Sequence, residues 1–283
     1  MIAKVIEDSI SFAGDRLTTI EVNIHRFVLA ELNTHRVFSR NSASSRAIPV
    51  RKQIERIRQE PALPVSFPAE QRGMQGGQEL PADKVEQARE NWLDAADAAI
   101  ERAERLHELG VHKSYVNRIL EPYMYHRVII TATDWDGFWE QRCSPLAQPE
   151  IKLAADAMRT AYDQSEPELV TTWGWHLPYI DDTTAGEIVE ATPPRLDSLV
   201  TMQKVSAARC ARVSYLTHDG TRDYRKDLEL FERLVSARPG HWSPLEHVAT
   251  PDPAYTAPGN LRGWRQLRHD YEPNRQNRGH DVR

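Results

Sequence analysis

The order of apolar and polar positions divides the chain into strand-like and helix-like stretches. Residues 1–24 read as strand-rich: Ile2, Val5 and Ile6 come early, and Ile20, Val22 and Ile24 then alternate with Glu21 and Asn23. A period of two puts such residues on one side of a pleated backbone. Phe27 to Leu32 reads as a short helix leading into Asn33-Thr34-His35-Arg36. The longest helical signal covers 83–109, where Val85, Ala88, Trp92, Ala95, Ala99, Ala103 and Leu106 recur three or four apart and Gly110 supplies a stop. Shorter helices are expected near 113–120, 133–142 and 150–164, with Pro122 and Pro149 as punctuation. A further helix at 222–236 carries Leu228, Phe231, Leu234 and Val235 and ends at Arg238-Pro239-Gly240. The prolines and glycines of 60–82 predict a loop, and 166–199 reads as a long connection. The polar tail 273–283 is expected to be mobile.

Composition narrows the class. The 283 residues suffice for a substantial core, and 40% hydrophobic with 27% charged residues is ordinary for a soluble globular protein. No apolar run approaches the roughly 20 residues of a membrane helix. Two cysteines, Cys143 and Cys210, suggest no disulfide framework, so a cytoplasmic setting is expected. The 36 Lys and Arg against 41 Asp and Glu leave a net charge of −5, which does not suit a nucleic-acid polymer as partner. Arginines nevertheless gather locally, which keeps small anionic ligands open.

Three segments carry candidate chemistry. The first is Thr34-His35-Arg36-Val37-Phe38-Ser39-Arg40-Asn41-Ser42-Ala43-Ser44-Ser45-Arg46. Its guanidinium groups and hydroxyls suit a phosphate-bearing ligand, although an Arg/Ser stretch is about as often a solvated loop. The second, Gly240-His241-Trp242-Ser243-Pro244-Leu245-Glu246-His247, follows a helix. It admits a plain turn, a metal site of His241, Glu246 and His247, or hydrogen-bonding groups for a cofactor. The spacing matches no standard zinc signature, and no metal is expected. The third is Arg142-Cys143-Ser144-Pro145-Leu146-Ala147-Gln148-Pro149-Glu150, with Arg118 upstream. Nothing in the sequence activates Cys143 as a nucleophile.

Together these segments resemble the flavin-dependent thymidylate synthases. His35, Arg36, Ser44 and Arg46 match members of that family's Arg-His-Arg signature and its later Ser and Arg. Gly240 to His247 is similar to its Gly-His-x-(Thr/Ser)-Pro-(Phe/Leu)-Glu-His loop, and Ala207 to Tyr215 to its Ala-Ala-Arg-Val-Ser segment. Phe138 to Arg142 and Ala147 to Ile151 resemble its later helix. The blocks at 207–247 stand after those they normally precede, which looks like a circular permutation. Thr34 replaces the first Arg of the signature, Ser42 replaces an acidic residue, and Thr131 and Thr133 stand where the family uses Asn and Arg toward FAD. Arg268-His269 reads as a degenerate echo of the signature.

The resemblance implies an α+β fold, a mixed sheet flanked by long helices, in a single domain over 1–283. Blocks 17–50, 113–165 and 200–250 would form the site. It implies that Ser214, His241, Ser243 and Glu246 contact FAD, with His35, Arg36 and Val37 near the flavin. Ser44, Ser45, Arg46, Arg118 and Arg142 would bind the nucleotide, Arg118 from another subunit, with Arg142 and Ser44 in catalytic roles. The implied reaction converts dUMP to dTMP with methylenetetrahydrofolate and NADPH as co-substrates, in a homotetramer with shared sites. Alternatives are methylation or hydroxymethylation of dCMP or UMP, and a noncatalytic nucleotide- or flavin-binding relative.

Overall fold

A five-stranded mixed sheet in the order β3-β4-β2-β1-β5 organises the chain, seen in a computed structural model that describes residues 3–171, 173–192, 195–213, 220–254 and 260–272. Strands β1 (Ala3–Ser11) and β2 (Arg16–His25) form a hairpin, and helix α1 (Leu29–Asn33) leads to the short strand β3 (Ser39–Ser42). Helices α2 (Val50–Gln59), α3 (Ala82–Glu108) and α4 (Lys113–Leu120) precede β4 (Tyr125–Ala132), which pairs antiparallel with both β2 and β3. Then come α5 (Asp136–Arg142), α6 (Pro149–Asp163), β5 (Glu168–Val170), α7 (Asp182–Ala191), α8 (Arg195–Arg212) and α9 (Tyr224–Ser236). A 3₁₀ turn, Ser243–His247, opens into the two-stranded β6 (Ala249–Pro251) and β7 (Trp264–Gln266), followed by α10 (Arg268–Tyr271). No helix among the described residues is long and apolar enough to cross a membrane.

Strand periodicity gives the sheet two unlike faces. Ile20, Val22 and Ile24 of β2 and Val128, Ile130 and Ala132 of β4 share one face, which packs on Trp135, Phe138 and Trp139 and on Ile151, Ala154, Ala155 and Met158 of α6. The intervening residues Thr19, Glu21 and Thr131 present polar groups to the other face, with Ile129 packed on Tyr179, Cys210 and Val213. Helices α2, α3 and α4 make a separate cluster through Val50, Ile54, Ile57, Ile100, Ala103, Val116 and Leu120. Alpha9 and the Ser243–His247 turn join α8 through Ala207, Ala208, Phe231, Leu245 and Val248. Arg209 and Arg212 of α8 both pair with the buried Asp227 of α9, so the arginines of the Ala207–Tyr215 segment join helices.

Several sequence expectations need correction. The stretch 166–199 is not a bare connection, since it holds β5, α7 and the first turn of α8. Asp181 starts α7 by accepting the Thr184 amide at 2.7 Å. Strand β4 has no alternating pattern because its last five residues are all buried. Helix α2, unanticipated, buries Val50, Ile54 and Ile57 at helical spacing. Along α3 the buried seam runs through Ala96, Ala99, Ile100 and Ala103, and Ala95 is exposed. Gly110 does end the α3 turn, with a φ of 82° that glycine adopts without a side-chain clash. The tail expected to be mobile lies outside the described residues.

Candidate functional site

The turn between α1 and β3 presents His35, Arg36 and Val37. Phe38 anchors it, only 2% exposed, with its ring 5.1 Å from that of Phe138. His35 stacks edge-on against Phe138 at 4.9 Å, and its Nε2 accepts from Nε of Arg142 at 2.9 Å. Burial, reinforced by the Arg142 and Arg40 charges, lowers the His35 pKa to about 4. The imidazole is therefore neutral near pH 7 and can accept from the guanidinium. Nη2 of Arg142 donates to Thr34 Oγ1 at 2.9 Å and to the Glu31 carbonyl at 3.3 Å. Arg142, at the last turn of α5, is thus held by the residue that replaces the signature's first arginine. Arg36 and Val37 are exposed on the same turn.

Arg40 stiffens this corner from below. Its Nη1 donates to the carbonyls of Leu32, Asn33 and His35, the last at 2.7 Å. Burial lowers the Arg40 pKa, and the negative charge of Glu246 opposes that shift. Glu246 lies on the Ser243–His247 turn, which reaches β3 where Ser243 Oγ donates to Asn41 Oδ1 at 2.9 Å. Gln266 ties the same elements together, donating to Ser39 Oγ and to the Glu246 carbonyl, both at 3.0 Å. The two segments, some 200 positions apart, therefore meet as the proposed permutation requires.

The other expected residues fall into two places. Ser45 is buried and donates to Glu121 Oε1 at 3.0 Å; Arg118 reaches the same oxygen at 2.7 Å. Arg26 pairs with the other Glu121 oxygen at 3.2 Å. Ser45 and Arg118 thus converge within one chain, on a carboxylate that no motif marked. Ser44 is exposed and lines a cleft of about 720 Å³ between α2, the start of β4 and helices α8 and α9. Arg46 is exposed and is not part of that lining. Ser214 lies outside the described residues.

The metal reading of the 241–247 turn meets prior commitments of its side chains. The Glu246 carboxylate pairs with Arg268, which also holds Glu272 at 2.5 Å. Arg268, read from sequence as an echo, is thus a partner of a candidate site residue. His247 is fully buried, with Nδ1 2.7 Å from Thr131 Oγ1. A chain continues from Thr131 Oγ1 to Thr19 Oγ1 at 2.6 Å, to His176 Nε2 at 2.7 Å, and from His176 Nδ1 to Ser9 Oγ at 2.8 Å. Burial pushes both imidazoles down to a pKa of about 3, so the chain is neutral. His241 is exposed, with its backbone amide donated to the Leu234 carbonyl at 3.0 Å. Burial and a hydrogen bond to Asp156 raise the Cys143 pKa, which keeps it a thiol.

The profile of the thymidylate synthase complementing protein family matches residues 17–168, more than half of the chain. The match leaves the 207–247 blocks outside it. No curated protein matches at a significant level. Among solved structures, the UMP/dUMP methylase PolB from Streptomyces cacaoi bound with 5-Br dUMP is 20% identical, covers 53% of this chain and 67% of its own, and gives a TM-score of 0.42. The same protein bound with 5-Br UMP is 17% identical, covers 57% of this chain and 88% of its own, and gives a TM-score of 0.48.

Proposed function

Because the chain belongs to the flavin-dependent thymidylate synthase family, we propose that it methylates C5 of a pyrimidine nucleotide, with dUMP as substrate and dTMP as product. The observation that carries this reading is the arrangement of Arg142. Its Nε and Nη2 are bound to His35, Thr34 and the Glu31 carbonyl, which aims the guanidinium without neutralising it. A fixed cation at the edge of a uracil ring stabilises the negative charge on N3 and the carbonyls that makes C5 nucleophilic. Neutral His35 orients that cation, and no protein nucleophile is required, in keeping with the Cys143 thiol.

The donor set beside this corner fits FAD. Arg36 and His241 expose a guanidinium and an imidazole, Ser243 sits at the junction with β3, and Val37, 45% exposed, offers an apolar contact. These residues would hold the flavin, which when bound supplies the hydride that completes the methyl group. Thr131 and Thr133 would not hold it, since Thr131 is bonded to His247 and Thr133 accepts the Arg262 amide at 3.0 Å. Methylenetetrahydrofolate is the carbon donor in this reading, NADPH is the reductant, and the working form is a homotetramer.

Thr34 favours a second reading on one specific ground. Its hydroxyl engages Arg142 where the signature has an arginine, so the ring-edge contacts differ and UMP or dCMP is a substrate to compare. Purified protein given methylenetetrahydrofolate, FAD and NADPH with dUMP, UMP or dCMP decides by product mass. A gain of one methyl group on dUMP is expected, with loss of turnover in Arg142→Ala. A methylated product from UMP or dCMP alone gives the second reading, and no product from any of the three rejects both.

A further inference from the structure

The cleft beside Ser44 carries positive charge without enough negative charge to match it. Lys52 and Arg56 lie four residues apart on α2, and Arg127 joins them from β4. Like charges at that helical spacing repel one another. Burial and the neighbouring Arg127 lower the Arg56 pKa from its ordinary value. Neither Lys52 nor Arg56 has a carboxylate within ion-pair distance among the described residues, and Arg127 has Glu21 only at 3.6 Å. Among the described residues of the lining, Glu60 is the single opposing charge, and the fourth cation, Arg212, is paired with Asp227.

Two side chains in the lining carry buried polar atoms with no hydrogen-bond partner among the described residues. His126 is 4% exposed and neither of its ring nitrogens has a hydrogen-bond partner; the Gln53 amide oxygen, on a side chain 2% exposed, has none either. Buried polar atoms are seldom left so; the Gln53 oxygen lies one residue from Lys52 on α2, whereas His126, two positions before Val128 on β4, takes the apolar face of the sheet. The Ala43 amide donates to the Arg127 carbonyl at 3.0 Å, which fixes the Ser44 loop beside Arg127. Ile57 on one side and Leu230 and Leu234 on another give the cleft apolar walls, and its volume of about 720 Å³ is in the range of ligand sites.

We infer that Lys52, Arg56 and Arg127, with Ser44, hold the phosphate of the nucleotide in this cleft. The inference rests on the nucleotide reading above and relocates the anion from the motif residues. Arg118 and Ser45 are already engaged by Glu121, whereas Lys52 and Arg56 have no ion-pair partner among the described residues. Strand β3 sets about 10 Å between the Ser39 and Ser42 positions, so the Arg142 corner and the cleft stand at opposite ends of one short strand.

Calorimetric titration of dUMP, UMP, deoxyuridine and inorganic pyrophosphate into wild type, R56Q/R127Q and Arg46→Ala tests this. Both arginines of the double variant are exposed, and an unchanged melting curve verifies the fold. The double variant should bind dUMP about 10- to 100-fold more weakly and deoxyuridine unchanged, as expected for lost charge-assisted contacts to phosphate. Unchanged dUMP affinity in R56Q/R127Q with a loss in Arg46→Ala overturns the inference and leaves the nucleotide reading intact. Should wild type bind neither dUMP nor UMP, the nucleotide reading fails. Pyrophosphate binding lost in R56Q/R127Q would then still support the anion subsite, and its absence in wild type would overturn that as well.

Discussion

The two faces of the sheet are built on different physics. One is covered by α5 and α6, where Phe38, Trp135, Phe138 and Trp139 pack with Ile20, Val22, Ile130 and Met158 and few polar atoms intervene. The other is covered by segments from 173–271 and is crossed by hydroxyls, imidazoles and charged groups. Apolar contact is non-directional, so the first face needs only volume and pattern. The second needs each atom opposite its partner, because a buried polar group left alone costs more than a bonded one contributes. All of the apolar cluster except Ala3 and Val5 of β1 falls inside the stretch that matches the family profile, and the covering of the polar face falls outside it. The polar face is also where the Ser243–His247 turn attaches, so specific hydrogen bonds, rather than packing alone, set the position of Ser243 and Glu246.

The largest effect that would test this contrast is on the apolar face. Phe138→Ala should destabilise the protein by about 3–5 kcal/mol in denaturant unfolding, since it removes a buried ring. It also deletes the edge that His35 leans on, so turnover should fall with stability. On the polar face, Thr131→Val keeps the shape and removes the hydroxyl shared by Thr19 and His247. A loss of about 1–3 kcal/mol is expected, with recovery in Thr131→Ser. Equal stability of the valine and serine variants would show that shape alone holds this face.

The pH dependence should separate groups by sign. His176 and His247 have folded pKa values of about 3, below the unfolded value of roughly 6.5, so the unfolded chain takes up more protons in between. Their contribution is complete above that upper value and is lost as pH falls toward 3. Glu7 behaves oppositely: burial, then Glu168 and Asp8, raise its pKa to about 8, so stability present at low pH is lost as pH rises through 8. Glu7→Gln should therefore melt progressively higher than wild type from pH 5 to pH 8, by about 2–4 °C for each kcal/mol relieved, and should keep the acid limb. The smallest effect is expected for Cys143→Ala. Turnover should persist, with a stability change under about 1 kcal/mol, because a half-buried thiol with a raised pKa performs no step. A nucleotide trapped covalently on Cys143 would reverse that reading.

What could be read from sequence follows the same division. The alternation of Ile20, Val22 and Ile24 with Glu21 and Asn23 announced β2, and α3 and α9 showed helical spacing because each helix has one wet and one dry side. Strand β4 did not, since a strand buried between two layers shows a plain apolar run. Alpha2 was legible in principle from Val50, Ile54 and Ile57, whose spacing is set among arginines and a lysine. At the site, His35, Arg142, Ser243 and Glu246 were marked by motif. The pairings of Ser243 with Asn41, of Ser45 with Glu121 and of Glu246 with Arg268 were not, because pairing between distant segments leaves no local pattern. Ser45 illustrates the limit: its motif pointed outward to a ligand, and its hydroxyl turns inward to Glu121.

The chain from Ser9 to His247 has one further consequence. Each hydroxyl carries a single proton and each neutral imidazole a single N–H; with every hydroxyl proton used inside the chain, the four bonds run in one of two concerted directions. If Ser9 donates to His176, every link points toward the turn and the His247 proton must sit on Nε2. If His176 donates to Ser9, every link reverses and His247 Nε2 is a bare lone pair. That nitrogen is buried with no partner among the described residues, so its protonation reports the direction. Ser9 on β1 and His247 in the turn therefore share one tautomeric state across three strands, and nitrogen-15 shifts of the two imidazoles should switch together or not at all.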